Sequence, residues 1–254
     1  MSTTPLFSNI RIIMSQNIEN DYQAKNNSIW KIVICCMIFI IHTVSCAAEN
    51  DFQIWTNTTA IGSISKKHSK FKYWLEYQAR FGDDSSKLSQ LLLRPGIGYQ
   101  VLPTTSFWLG YAWIRTAQPF SIRPIEENRI WQQLLWSKRF SQVTGTLRSR
   151  LEERFIQDRN HTAWRYRQLF RLAYAIPNHE QLSLIAMDEL FYHLNHFNIQ
   201  RNVGLDQNRA FIGLGYKTTQ VSTIELGYLN QYIKRPLREH FNGNCLYMSL
   251  LFNF

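Results

Sequence analysis

The stretch KFKYWLEYQARF, positions 70–81, divides by parity. Phe71, Tyr73, Leu75, Tyr77, Ala79 and Phe81 hold the odd positions; Lys70, Lys72, Trp74, Glu76, Gln78 and Arg80 hold the even ones. A β-strand sends successive side chains to opposite faces, so this run has one apolar face and one polar face. Residues 88–101 repeat the split, with Leu91, Leu93, Ile97, Tyr99 and Val101 opposing Gln90, Arg94, Gly96, Gly98 and Gln100. In 146–156, Leu147, Leu151 and Phe155 oppose Arg148, Arg150, Glu152 and Arg154. In 164–176, Trp164, Tyr166, Phe170, Leu172, Tyr174 and Ile176 oppose Arg165, Arg167 and Arg171. One amphipathic edge strand would not sustain such a pattern.

Seven less regular segments complete it: 52–62, 107–117, 126–140, 181–194, 209–218, 221–233 and 245–254. Turn chemistry separates them at Gly82-Asp83-Asp84, Pro103, Asp158-Arg159-Asn160, Pro177-Asn178, Asp206-Gln207-Asn208 and Asn242-Gly243-Asn244. That makes eleven segments. Single-chain bacterial membrane barrels prefer even strand numbers, so the expectation is ten to twelve strands, with twelve favoured. Twelve strands in the last 206 residues leave roughly 17 residues for each strand and its connection.

The first 48 residues read differently. Lys25 and Lys31 flank the apolar run 32–41, and Ser45-Cys46-Ala47-Ala48 offers small residues for cleavage, as in a secretory signal. A ten-residue run is too short to cross a bilayer as a helix, and a mean hydropathy of −0.27 excludes a polytopic helical protein. Met14 is an alternative start. Cys46 resembles the cysteine of a lipoprotein processing box, but that box usually has Leu where Thr43 stands, so simple cleavage is preferred. The expected organisation is an extension and signal over 1–48 and one barrel domain over 49–254. Removing 1–48 leaves 25 basic and 16 acidic residues, a charge of +9, and the single cysteine Cys245. No internal disulfide and no cysteine-based zinc site is then possible.

A closed sheet with one apolar face can be soluble, with that face inward, or transmembrane, with that face to lipid. The signal favours the membrane. So do the many aromatic residues, which girdles at the lipid boundary explain directly. The chain end agrees: Leu246, Met248, Leu250, Phe252 and Phe254 alternate with Cys245, Tyr247, Ser249, Leu251 and Asn253. A terminal Phe with alternating apolar residues is similar to the signal read by the outer-membrane assembly machinery, with Phe252 and Phe254 at its core. The expected fold is therefore an all-β, antiparallel, up-and-down transmembrane barrel in the outer membrane, in contact with its lipid and lipopolysaccharide.

Short strings spread along the chain carry a resemblance. They are Asp51-Phe52-Gln53-Ile54-Trp55, Glu76-Tyr77-Gln78-Ala79-Arg80, Arg94-Pro95-Gly96-Ile97-Gly98-Tyr99 and Leu109-Gly110-Tyr111. Glu127-Asn128-Arg129-Ile130-Trp131-Gln132-Gln133, Arg148-Ser149-Arg150-Leu151-Glu152-Glu153-Arg154, Asn208-Arg209 and Glu225-Leu226-Gly227-Tyr228 follow in order. In these the chain resembles the bacterial family of unknown function DUF2490. The resemblance implies an outer-membrane-type barrel and brings no established activity. The long polar lead before the signal departs from the family pattern.

On a transmembrane barrel the polar faces turn inward. The lumenal set is then Lys72, Arg80, Arg94, Arg129, Arg148, Arg150, Arg154, Arg165, Arg167, Arg171 and Arg209, against Glu76, Glu152, Glu189 and Glu225. Crowded like charges in a low dielectric need water, an anion or carboxylates to offset them. Two readings stay open. One is an anion-selective channel or binding tube for anionic solutes such as acidic oligosaccharides. The other is an Arg–Glu network bracing a closed barrel. A third, a lipid hydrolase at the rim, would have to use His193, His196, His240 or Ser183, and no nucleophile–base spacing supports it. There is no G-x-S-x-G, P-loop or H-E-x-x-H motif, and no cofactor or metal is expected. Alternation of arginine with Leu, Trp and Tyr argues against nucleic acid.

Overall fold

The computed structural model describes residues 48–65, 69–196, 203–235 and 239–254; the apolar run 32–41 and Cys46 lie outside them. Eleven strands follow in order: β1 (Ala48–Ser63), β2 (Phe71–Gly82), β3 (Lys87–Leu102), β4 (Thr105–Thr116), β5 (Ile125–Phe140) and β6 (Val143–Ile156). Then come β7 (Ala163–Ile176), β8 (His179–His193), β9 (Gly204–Lys217), β10 (Ser222–Ile233) and β11 (His240–Asn253). Each pairs antiparallel with its sequence neighbours, and β1 pairs with β11 to close the barrel.

The expected count of twelve is corrected to eleven. In an up-and-down sheet with an odd number of strands, the first and last run the same way, so closure must be parallel. The ladder from Ala48↔His240 to Ile61↔Asn253 is that parallel pair, and it runs almost the full length of both strands. The preference for even numbers follows from antiparallel closure, which this seam does not use.

Two turn expectations are also corrected. Asp206-Gln207-Asn208 lies within β9 and Asn242-Gly243-Asn244 within β11. The asparagines stay in the ladder because their amides bond sideways: Asn230 Nδ2 donates to Asn242 Oδ1 at 2.7 Å, and Asn242 Nδ2 to Asn50 Oδ1 at 3.0 Å. Cross-strand pairing thus overrides turn preference. The turn after Gly82 forms as read. Asp83, Asp84 and Ser85 all have positive φ, and the Asp51 carboxylate accepts the backbone N–H groups of Asp83 and Asp84.

Parity sorts the side chains as expected. Leu75, Ile97 and Leu214 face outward and are each more than half exposed, while Arg94, Arg150 and Glu152 are buried inside. The aromatic residues divide otherwise than expected, because they do not all serve an outer girdle. Trp55, Trp74, Trp108 and Trp131 are buried in the lumen and anchor its two apolar clusters. Trp74 meets Trp108 and Trp131 edge to face, with centroids 5.4 and 6.3 Å apart. The rings find room over glycine: a Cβ at Gly96 or Gly110 would strike Trp131.

Gly110→Val should therefore displace Trp131 and cost about 2 kcal/mol or more. Gly145→Ala, whose Cβ would meet nothing nearer than 3.6 Å, should be tolerated. Thermal unfolding followed by circular dichroism checks both.

Candidate functional site

Two-residue spacing places Arg148, Arg150, Glu152 and Arg154 on one face of β6, and Arg165, Arg167 and Arg171 on the same side of β7. The register sets Arg150 beside Arg167 and Glu152 beside Arg165. Strand pairing alone thus gathers the arginines. Their repulsion is relieved by carboxylates that each serve several of them.

Glu152 is the centre of one group. Its Oε2 accepts from Arg165 Nη2 at 2.5 Å and lies 3.5 Å from Arg129 Nη1, while Oε1 accepts from Arg167 Nη1 at 2.7 Å. Glu189 is the centre of another, accepting from Arg167 Nη2 at 2.7 Å and Arg148 Nη2 at 2.8 Å, with Arg209 at 4.0 Å. Glu76 pairs with Arg94 at 2.6 Å, and Glu225 with Arg171 at 2.5 Å. Shared, hydrogen-bonded charge-assisted contacts of this kind are what a buried ion needs to persist.

One carboxylate was not among those expected. Glu127 accepts from Arg129 Nε and Arg154 Nε, both at 2.5 Å. The signal was present, since Glu127 stands two residues before Arg129 and so shares its face, but polar residues occupy both parities of 126–133 and hide the alternation that burial shows there. The inward glutamates are therefore five against ten inward arginines among the described residues.

Aromatic faces and amides hold arginines that carboxylates serve less. Arg80 has no carboxylate within ion-pair distance among the described residues; it lies 3.9 Å from the Trp55 ring centroid and donates to Gln90 Oε1 at 2.9 Å. Arg150 sits 4.7 Å from the Trp131 centroid and donates through Nη2 to Gln133 Oε1 at 2.5 Å. Phe191 takes three guanidiniums at once, Arg167 and Arg209 at 4.7 Å and Arg165 at 5.2 Å. Cation–π contacts strengthen when desolvated, which explains the aromatic lining.

The lumen is then unequal along its length. Arg150, Glu152, Trp131 and Phe191 have no exposure at all, so side chains fill that middle section. Beyond it lies a cavity of about 470 Å³, bordered at its mouth by Lys72, Pro103, Thr104, Ser137 and Asn253. Seven cations line it (Lys72, Arg80, Arg94, Arg148, Arg167, Arg171 and Arg209) against Glu76, Glu189 and Glu225. Asn57, Thr59 and Ser249 form a neutral polar stretch of its wall, with Asn57 Nδ2 bonded to Ser249 Oγ at 2.8 Å. Of the eleven basic residues expected inside, these seven meet at the cavity, while Arg129, Arg150, Arg154 and Arg165 belong to the filled section.

The rim residues do not converge. His193 Nε2 lies 2.8 Å from Asp206 Oδ2, but Ser183 is at the far end of β8 and its hydroxyl faces the Gly215 carbonyl. His240 accepts the Arg235 backbone N–H, and His196 is exposed. Phe252 and Phe254 stack at the end of the chain, 6.0 Å apart.

Removing the charge of Glu152 should leave Arg129 and Arg165 under-compensated in a dry interior. Glu152→Gln is expected to cost about 3–5 kcal/mol in denaturant unfolding, against under about 0.5 kcal/mol for Lys72→Ala at the mouth.

A family model described as "Protein of unknown function (DUF2490)" matches residues 52–242. An uncharacterized protein of Methylorubrum extorquens is 33% identical over 198 residues, covering 77% of this chain and 85% of the relative. Two solved structures align with the barrel. The NanC porin does so at 11% identity and a TM-score of 0.49, covering 80% of this chain and 99% of its own. LpxR from Salmonella typhimurium does so at 8% identity and a TM-score of 0.37, covering 72% and 83%. At those scores neither likeness bears on what the lumen does. The family match spans most of the chain and agrees with the relative in extent, so the chain belongs to the DUF2490 family.

Proposed function

We propose that the chain is an outer-membrane barrel that binds anionic solutes in a one-ended vestibule and does not conduct them through an open pore. The outward face supports the membrane reading. Leu75, Leu93, Ile97, Leu109, Leu134, Ile212, Leu214 and Leu226 are all exposed, and lipid is the solvent that favours such a wall. Export fits the reading of 1–48 as a secretory signal.

The observation that carries the binding reading is the seven cations facing three carboxylates around the 470 Å³ cavity. Positive walls of low dielectric raise the local concentration of anions, and guanidiniums hold carboxylate or phosphate groups in bidentate fashion. The connections at the vestibule end are mostly short turns, such as those at Pro103-Thr104 and Pro177-Asn178. In bacterial barrels short turns face the periplasm, so the vestibule opens inward in this reading.

Titration of the refolded barrel in detergent with inorganic phosphate and with citrate tests this, read by tryptophan fluorescence. Saturable binding is expected, falling as ionic strength rises and weakening at least ten-fold in R148Q/R171Q. Absence of binding at low salt would leave the network as a brace and refute the vestibule.

A further inference from the structure

The outer wall is not uniformly apolar. Across β2, β3 and β4 its exposed residues include Leu75, Tyr77, Leu93, Ile97, Leu109 and Tyr111, with the charged Arg115 near the end of β4. Across β5 to β9 the same outward parity carries Gln132, Ser149, Glu153, Gln168, Asp188 and Asn208. Several of these lie well inside their strands, Asp188 opposite Phe170 and Ala210, and Ser149 opposite Gln168. They are joined in short links: Gln132 Nε2 donates to Glu153 Oε1 at 3.1 Å, Ser149 Oγ to Gln168 Oε1 at 2.6 Å, and Asn208 Nδ2 to Asp188 Oδ1 at 2.7 Å. Acyl chains offer such groups nothing, and a carboxylate in a lipid-facing wall is costly.

We propose that the outer wall of β5–β9 is the face on which two copies of this chain pair in the membrane. Gln132 and Gln168 each keep one amide N–H beyond their bonds within the chain, Gln168 Nε2 already donating to the Leu169 carbonyl at 3.2 Å. The Asp188 and Glu153 carboxylates and the Asn208 amide oxygen keep acceptor capacity, while both Asn208 N–H groups are engaged, by Asp188 and the Glu189 carbonyl. Donors and acceptors on one patch complement the same patch turned about a two-fold axis. Hydrogen bonds between such faces, with Phe170, Leu184 and Ile212 packing around them, would hold two copies together in lipid as polar contacts and packing do between transmembrane helices. The proposal rests on the membrane-spanning part of the function above and is independent of the vestibule.

The test is the protein mass of the refolded barrel in detergent by light scattering, with cross-linking of S149C by a bis-maleimide. The wild type should have twice the chain mass. D188L/Q168L should weaken the dimer at least ten-fold while keeping its heat-shifted gel mobility, and D188N should stay paired. S149C should give a covalent dimer absent from the same protein without that thiol. A monomeric wild type, a D188L/Q168L variant that pairs as before, or no S149C cross-link would overturn the dimer. A chain folded and soluble without detergent would instead overturn the membrane reading beneath it.

Discussion

Glu152 and Glu189 each hold several guanidiniums at once, and the interior depends on that sharing. Pairing β6 with β7 brings their arginines together whether or not the charges suit one another. Without a carboxylate at each junction, the desolvated cations would repel more strongly than the ladder hydrogen bonds between the strands could oppose. Arg167 links the two centres, bonding Glu152 through Nη1 and Glu189 through Nη2, so the network crosses three strands as one body. Aromatic faces then take the arginines that glutamates serve incompletely, which is why tryptophan and phenylalanine line a lumen so rich in charge.

This accounting also separates the two ends of the barrel. In the filled section Glu127 and Glu152 lie among Arg129, Arg154 and Arg165, with Glu152 wholly buried. In the vestibule, Lys72 and the outer arginines outnumber their acids and reach solvent. The lumen thus divides into a section braced by ion pairs and a cavity where cations outnumber carboxylates.

Much of this was legible from parity. The alternation in 70–81 and 146–176 locates the strands, assigns the faces and names the inward arginines. Glu127 escaped because polar residues fall on both parities of 126–133. Trp74 already stands on the polar parity of 70–81, whereas Trp55, Trp108 and Trp131 lie in segments where a large apolar ring reads as lipid-facing until its neighbours across the sheet are known. Asn242-Gly243-Asn244 reads as a turn because turn preference is local, whereas the amides of Asn230 and Asn50 that keep it extended are distant in sequence. The eleven segments were countable. What sequence could not supply was the parallel seam that lets an odd number close.

The central claim is that the Arg–Glu–aromatic network closes the lumen. Single-channel recording of the refolded wild-type barrel in a planar bilayer, under a salt gradient, tests it most directly. The account predicts a protein that inserts and stays electrically silent. Steady conductance steps with an anion-favouring reversal potential would contradict it.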